Sequence, residues 1–400
     1  MLSLSNILCN QSAGNEALRY SHTPGSMHKP ANETSGGDGP PRPVVVWAIT
    51  KACNLRCIHC YASASPDAAP DELTLDEGKR LLDDLRDFQA PAVLFSGGEP
   101  LVRPDAMELL TYASDTLGLR CTLSTNGTLI TRDVAERLAD IGLTYVGMSL
   151  DGMREQHDKL RGLKGAFDQT LEGFVNCKAA GLRTGARFTV HSLNHQHIDD
   201  IFDLCLDHGI DRLCVYHLAY AGRGGKMQKL DLTAAQTRHV VDRIFERTQQ
   251  ANASGSQLEV LTVGNHADQA YAILSLEQTD PGRAASIHQR LRRNGGNQSG
   301  NYIASVDPRG FVHYDQFSWH YNCGNVRELP FSKIWADATD PRLTILRHRQ
   351  SHLPPACQGC RFLDICNGNL RTRAEAATGD WLGMDPSCYL TDAERMRVEE

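Results

Sequence analysis

Short apolar runs alternate with helix-patterned segments through the first half of the chain, and this alternation constrains the fold most. The runs lie near 43–49, 91–96, 119–125, 143–150, 183–191 and 211–218. Helical patterns fill the gaps near 104–117, 131–141, 165–180 and 196–208. Thr74 with Glu77 three residues on reads as a capping box, and Leu81, Leu82, Leu85 and Phe88 form the apolar stripe of the helix that follows. Repeated strand–helix units predict a parallel sheet of the α/β class. Six units rather than eight predict a partial, TIM-like (βα)6 barrel. Residues 1–42 are polar and end in Pro40-Pro41-Arg42, so they are expected to be a mobile extension. The barrel is expected over 43–255 and a smaller C-terminal domain over 256–400.

The first apolar run leads directly into Cys53, Cys57 and Cys60, spaced Cys-x3-Cys-x2-Cys. Three thiolates that close can hold three irons of a four-iron cluster and leave the fourth open. Zinc sites and ordinary ferredoxin-like sites also use three nearby cysteines. The second run ends in Ser96-Gly97-Gly98-Glu99-Pro100. Glycines let backbone approach a ligand closely, and a carboxylate such as Glu99 can accept a charge-assisted hydrogen bond from an ammonium. Loops at the carboxyl ends of barrel strands are where such sites form.

With these two motifs the chain resembles the radical SAM enzymes. That resemblance implies a [4Fe-4S] cluster on Cys53, Cys57 and Cys60 with S-adenosylmethionine (SAM) on the open iron. It implies that Gly97, Gly98 and Glu99 hold the methionyl amino group. By their place at strand ends, Ser124, Asn126, Ser149, Asp151 and Arg187 are expected to touch SAM or substrate. His59 takes a position that is aromatic in most relatives and lies near the adenine. Taken singly, Asn126-Gly127 and Asp151-Gly152 also read as plain turns.

A second cysteine set, Cys357, Cys360, Cys366 and Cys388, lies near the C terminus. Four thiolates close a cluster completely, and a structural zinc is the competing reading. The arrangement resembles the SPASM and Twitch auxiliary-cluster regions of radical SAM enzymes. The stretch Gly310–Asp315 carries aspartate where a further cluster would need cysteine, so one auxiliary cluster is expected, two [4Fe-4S] clusters in all. Cys9, Cys121, Cys177, Cys205, Cys214 and Cys323 are then free thiols.

The stretches 263–268, 323–335 and 365–369 resemble the radical SAM enzymes of haem d1 biosynthesis. That likeness implies an iron tetrapyrrole substrate, didecarboxysirohaem, losing two propionate side chains. Related readings are the sirohaem-dependent haem route, where acetates leave the same substrate, and peptide-modifying maturases. A tetrapyrrole pocket needs arginines and aromatic faces, and residues 290–321 supply both, from Arg290, Arg292, Arg293 and Arg309 to Phe317, Trp319 and Tyr321. His217, His266, His313 and His320 are candidate ligands to substrate iron, with His217, at a strand end, the first choice as catalytic residue. A small electron donor of the flavodoxin or ferredoxin type is expected as partner.

A net charge of −7 argues against a nucleic-acid partner. No apolar run reaches membrane-spanning length. The N terminus lacks the basic region of a signal peptide, and 13 cysteines suggest metal clusters before disulfides, so a cytoplasmic location is expected.

Overall fold

A computed structural model describes residues 2–9, 40–337 and 339–396. Strands β2 (Val44–Ala48), β3 (Val93–Ser96), β4 (Cys121–Thr125), β5 (Tyr145–Ser149), β6 (Thr184–Val190) and β7 (Arg212–His217) run parallel in sequence order. These are the six expected strands. Residues of one parity, including Val45, Trp47, Phe95, Leu123, Val146, Phe188 and Val215, are buried in the main apolar core. Residues of the other parity, including Val46, Leu94, Ser124, Ser149, Arg187 and Tyr216, line the barrel interior.

Helix α2 (Leu75–Asp87) starts as predicted. Thr74 Oγ1 accepts from the Glu77 N–H, and the Glu77 carboxylate accepts from the Thr74 N–H. The expected helix over 104–117 is instead α3 (Ala106–Thr111) followed by a wide π-turn, Tyr112–Thr116. Tyr112 there donates to Asp83 on α2 at 2.8 Å.

Two boundaries differ from the expectation. Leu2–Ser3 forms β1, antiparallel to β8 (Glu259–Val263), and Leu4–Cys9 forms the buried helix α1. Ser5 Oγ bridges the edge by donating to the Leu258 carbonyl and accepting from the Val260 N–H. This end of the chain therefore closes a sheet edge and is no free extension. Residues 10–39 lie outside the described residues. The sheet also crosses the expected boundary at 255. β8 adds in parallel to β7, and β9 (Ile303–Val306) adds in parallel to β2 on the other side. β10 (Phe311–His313) and β11 (Gly324–Asn325) complete an 11-stranded sheet. The C-terminal segment thus extends the same sheet before folding over the strand ends as short helices.

Cys121, Cys177, Cys205 and Cys214 are buried, whereas Cys9 and Cys323 are half-buried. Among the described residues no helix is long and apolar enough to cross a membrane.

Candidate active site and cluster centres

The cysteine loop sits over the carboxyl ends of the parallel strands and is held by backbone. The Cys53 N–H donates to the Ser65 carbonyl at 2.7 Å, and the Arg56 and Ile58 N–H groups donate to the carbonyls of Arg161 and Leu160. Cys53, Cys57 and Cys60 line one cavity of about 210 Å³ together with Gly97, Gly98, Ser124, Asn126, Ser149 and Arg187. The residues singled out from the sequence thus share one cavity at this end of the barrel.

The Gly-Gly-Glu motif also packs against the cysteine loop. The Gly98 and Glu99 N–H groups donate to the carbonyls of Thr50 and Ala52, each at 2.8 Å. A Cβ on Gly97 or Gly98 would overlap those same carbonyls. The glycines let β3 press directly on the cysteine loop. Glu99 is fully buried and is no part of the cavity wall. Its carboxylate accepts from Thr125 Oγ1 at 2.8 Å, the Asn126 N–H at 2.7 Å and the Leu101 N–H at 3.1 Å. Burial pushes its pKa up despite those donors. Glu99 is thus a brace between β3 and β4, and the cavity is offered backbone from Gly97 and Gly98 in its place.

Asp151 sits one layer further back. It is fully buried behind the wall, where it pairs with Arg161 and with His59 Nε2 at 3.1 Å. Burial works to raise its pKa, and the Arg161 charge and His59 outweigh it, leaving the carboxyl far below the usual range. Arg161 and His59 line the cavity in its stead. Arg161 Nη1 donates to the Cys57 sulfur at 3.5 Å. Sequence reading missed Arg161 because it ends a strongly polar helix, Arg154–Arg161, where an arginine normally faces water. The one available signal was His157 four residues before it, a polar pair on one face.

Arg187 reaches from β6 across β5 to donate to Ser124 Oγ on β4. Gly147 makes that passage, because a Cβ there would overlap the guanidinium. Arg187 Nε is buried without a partner. Arg187 lines the cavity, and its guanidinium suits an anionic group such as the SAM carboxylate. The three thiols, the glycine backbone and this guanidinium together fit a cluster with SAM.

His217 borders the cavity at the end of β7 but shares the helix-facing parity of Leu213 and Val215. Its Nε2 lies 2.9 Å from Asp268 Oδ2, and Tyr389 donates to Asp268 Oδ1 at 2.8 Å. The geometry gives it a bracing role between β7 and the residue after Cys388. His266 is buried against Asn369, and His313 is buried beneath Tyr321.

Cys357, Cys360, Cys366 and Cys388 line a second, small cavity with Phe362, Met384 and Leu390. Asn367, Gly368 and Asn369 all take positive φ, which turns the chain back sharply after Cys366. Asn369 then bonds Asn265 at 2.7 Å, and Asn265 donates to the Ser387 carbonyl at 2.9 Å. The stretches 263–268 and 365–369 are therefore in contact. Burial raises the pKa of every one of these four thiols, and for Cys366 the neighbouring cysteines add to the rise. A cationic centre would relieve that cost. Among the described residues, no three His, Cys, Asp or Glu side chains converge as they would on a single ion. The four thiols line this cavity together, a donor set that fits a four-iron cluster.

A larger chamber of about 940 Å³ opens beside the first cavity. Tyr61 and Phe317 line both, their rings edge-on at 5.4 Å. Of the side chains singled out for substrate, Arg309, Phe317, Trp319 and His320 line the chamber. Arg290, Arg292 and Arg293 do not, and Arg292 pairs with Asp364 at 2.8 Å.

Burial also sets a pH dependence of stability. It holds the imidazoles of His157 and His191 neutral, each pushed down to about 4. In the unfolded chain they titrate near about 6.5, so between those values the unfolded state binds more protons. Stability is complete above about pH 6.5 and is lost as pH falls toward about 4, at up to ~1.4 kcal/mol per pH unit for each histidine. Urea midpoints of the anaerobic protein should fall from about pH 7 to about pH 5, and replacing both histidines with glutamine should flatten that fall. An unchanged slope in the double variant would exclude these two residues as its source.

The profile of the Radical SAM superfamily matches residues 47–205. The chain is 46% identical over 397 residues to "Fe-coproporphyrin III synthase" of Methanosarcina barkeri, covering 98% of each. It is 40% identical to "Pre-heme d1 synthase" of Dinoroseobacter shibae, covering 89% of this chain and 88% of that one. Against "Mycofactocin maturase MftC" of Mycobacterium tuberculosis identity is 32%, with 89% and 85% covered. Among solved structures, Streptococcus suis SuiB bound to its precursor peptide SuiA matches at TM-score 0.69 and 20% identity, covering 88% of this chain and 76% of that one. The structure of anSMEcpe with bound AdoMet and a peptide matches at TM-score 0.64 and 18% identity, covering 87% and 94%. These two share the fold. Relatives alike from end to end, together with a three-cysteine loop at the mouth of a parallel barrel, place the chain in the radical SAM superfamily as one of its enzymes.

Proposed function

We propose that this enzyme acts on the side chains of an iron tetrapyrrole in the sirohaem-dependent haem route, converting didecarboxysirohaem to iron coproporphyrin III by removing its two acetate arms. The observation that carries this reading is the 46% identity to Fe-coproporphyrin III synthase over the full length of both chains. The chamber supports it. About 940 Å³ suits a tetrapyrrole, and Tyr61, Phe317, Trp319 and Tyr220 offer flat apolar faces.

Cys53, Cys57 and Cys60 would hold a four-iron cluster that, with SAM, would supply the hydrogen-abstracting chemistry. The chain's own residues do the rest. Gly97 and Gly98 backbone and the Arg187 guanidinium would orient SAM, and Asp151 holds Arg161 against Cys57. The Tyr61–Phe317 boundary sets which substrate edge reaches the first cavity. Cys357, Cys360, Cys366 and Cys388 would hold an auxiliary cluster. Of the four candidate histidines, His320 lines the chamber, which makes it the candidate to face the substrate iron. Its Nε2 is 2.8 Å from Glu375 Oε2.

The reconstituted protein with SAM, a low-potential reductant and didecarboxysirohaem should yield a product with the mass of iron coproporphyrin III. The haem d1 route is the second reading, favoured by the 40% identity to pre-heme d1 synthase and by stretches 263–268, 323–335 and 365–369. A product that keeps its acetates and lacks two propionates would replace the first reading with the second.

A further inference from the structure

We propose that Lys51 and Arg309 form a clamp for the carboxylate arms of the substrate, fixing which edge of the macrocycle meets the Tyr61–Phe317 boundary. This rests on the tetrapyrrole reading above. Both cations line the large chamber, and they reach it from separate parts of the chain.

Each has a rigid base. The Lys51 N–H donates to Glu72 Oε1 at 2.7 Å, and its carbonyl accepts from the Ser65 N–H at 3.1 Å. Lys51 thus stands two residues before Cys53 on the loop that the Gly-Gly-Glu motif clamps. Arg309 sits in the turn between β9 and β10. Its carbonyl accepts from Asn325 Nδ2 at 3.1 Å and Arg327 Nη1 at 3.0 Å.

Both charges are available. Lys51 Nζ has no hydrogen bond or ion pair among the described residues. Arg309 approaches a carboxylate only at 3.9 Å, to Asp307, and its guanidinium lies over the Phe311 ring at 5.3 Å. The chamber's acids are mostly committed. Asp307 Oδ1 accepts from the Arg309 and Phe311 N–H groups, and Glu375 is shared by His320 and Tyr321. Asp71 lies exposed at the rim. Lys51, unpaired, and Arg309, held only at 3.9 Å by Asp307, stand beside aromatic faces and match a flat apolar ring with carboxylate arms, and a charge-assisted contact of this kind discriminates strongly against an uncharged arm. The clamp places the arms on the loop that carries the first cluster. It thereby couples substrate seating to the position of the radical source.

The test is an anaerobic Soret titration of the cluster-loaded full chain with iron coproporphyrin III and with its tetramethyl ester in the same dilute detergent. Lys51→Gln and Arg309→Gln should each weaken binding of the free acid about tenfold or more, and Lys51→Arg should restore most of the loss. The ester should bind all forms alike. Iron content and the cluster absorbance report whether each variant is intact. If the variants bind the free acid as the parent does, the clamp is wrong and the tetrapyrrole reading stands. Equal weakening for acid and ester means the chamber was deformed, which also overturns the clamp. If the parent protein binds neither compound, the tetrapyrrole reading itself falls.

Discussion

Asp151→Asn is expected to lower SAM cleavage at least about tenfold and to destabilise the protein by about 3–5 kcal/mol. The change is nearly isosteric, so it removes charge and leaves shape. Asp151 is fully buried and holds two groups that face the first cavity, Arg161 and His59. Without the carboxylate, the Arg161 guanidinium is a buried cation whose strongest partner has gone. Its hydrogen bond to the Cys57 sulfur and its backbone carbonyl's bond to the Arg56 N–H would both be disturbed. Loss of one partner of a buried pair costs more than the pair contributes, because the desolvated charge stays behind. Production of 5′-deoxyadenosine and urea unfolding of the anaerobic protein measure the two effects. Parent-like values in both would show that Arg161 finds another acceptor.

Gly98→Ala should abolish stable loading of the first cluster and spare the auxiliary one. The added methyl would overlap the Ala52 carbonyl oxygen, with the Ala52 carbonyl carbon and the Lys51 oxygen both at 2.7 Å. These are backbone atoms, so no rotamer change relieves the clash. The loop must move away from β3 and break the Gly98 and Glu99 hydrogen bonds to Thr50 and Ala52. Cys53 follows Ala52 directly, so the three thiols lose their common geometry. Cys357, Cys360, Cys366 and Cys388 line a different cavity and lack any contact with this loop in the cavity wall. Iron analysis after anaerobic reconstitution should fall from about eight to about four atoms per chain. Retention of both clusters would mean the loop tolerates the shift.

Of these two sites, Gly98 was legible in the linear chain, because a Gly-Gly pair after an apolar run announces a close backbone approach. What it approaches was not legible. The expected ligand was SAM, and the structure adds the cysteine loop itself. Arg161 was invisible for the opposite reason. Its helix is polar throughout, and only the arrival of Asp151 from the end of β5 and Cys57 from the cysteine loop makes its position a buried one. Glu99 and Asp151 stand out in the chain by their motifs, but their burial was not legible there. Both are carboxylates behind the wall that hold the residues in front of them. His217 shows how sharply strand parity decides such matters. One residue's shift along β7 separates Tyr216, inside the barrel, from His217, turned toward Asp268.

The six parallel strands, the capped helix at Thr74 and the two cysteine sets are written locally in the chain, since each rests on spacing within a few residues. How the sheet is closed off and extended is a matter of long-range pairing instead. β1 pairs with β8 across more than 250 residues of chain, and β2 pairs with β9 across a similar gap. A two-residue strand carries no periodicity of its own. Its place depends on an open edge that exists only once the distant strand has formed, and the same long-range contacts turn ordinary arginines and carboxylates into the buried frame of the site.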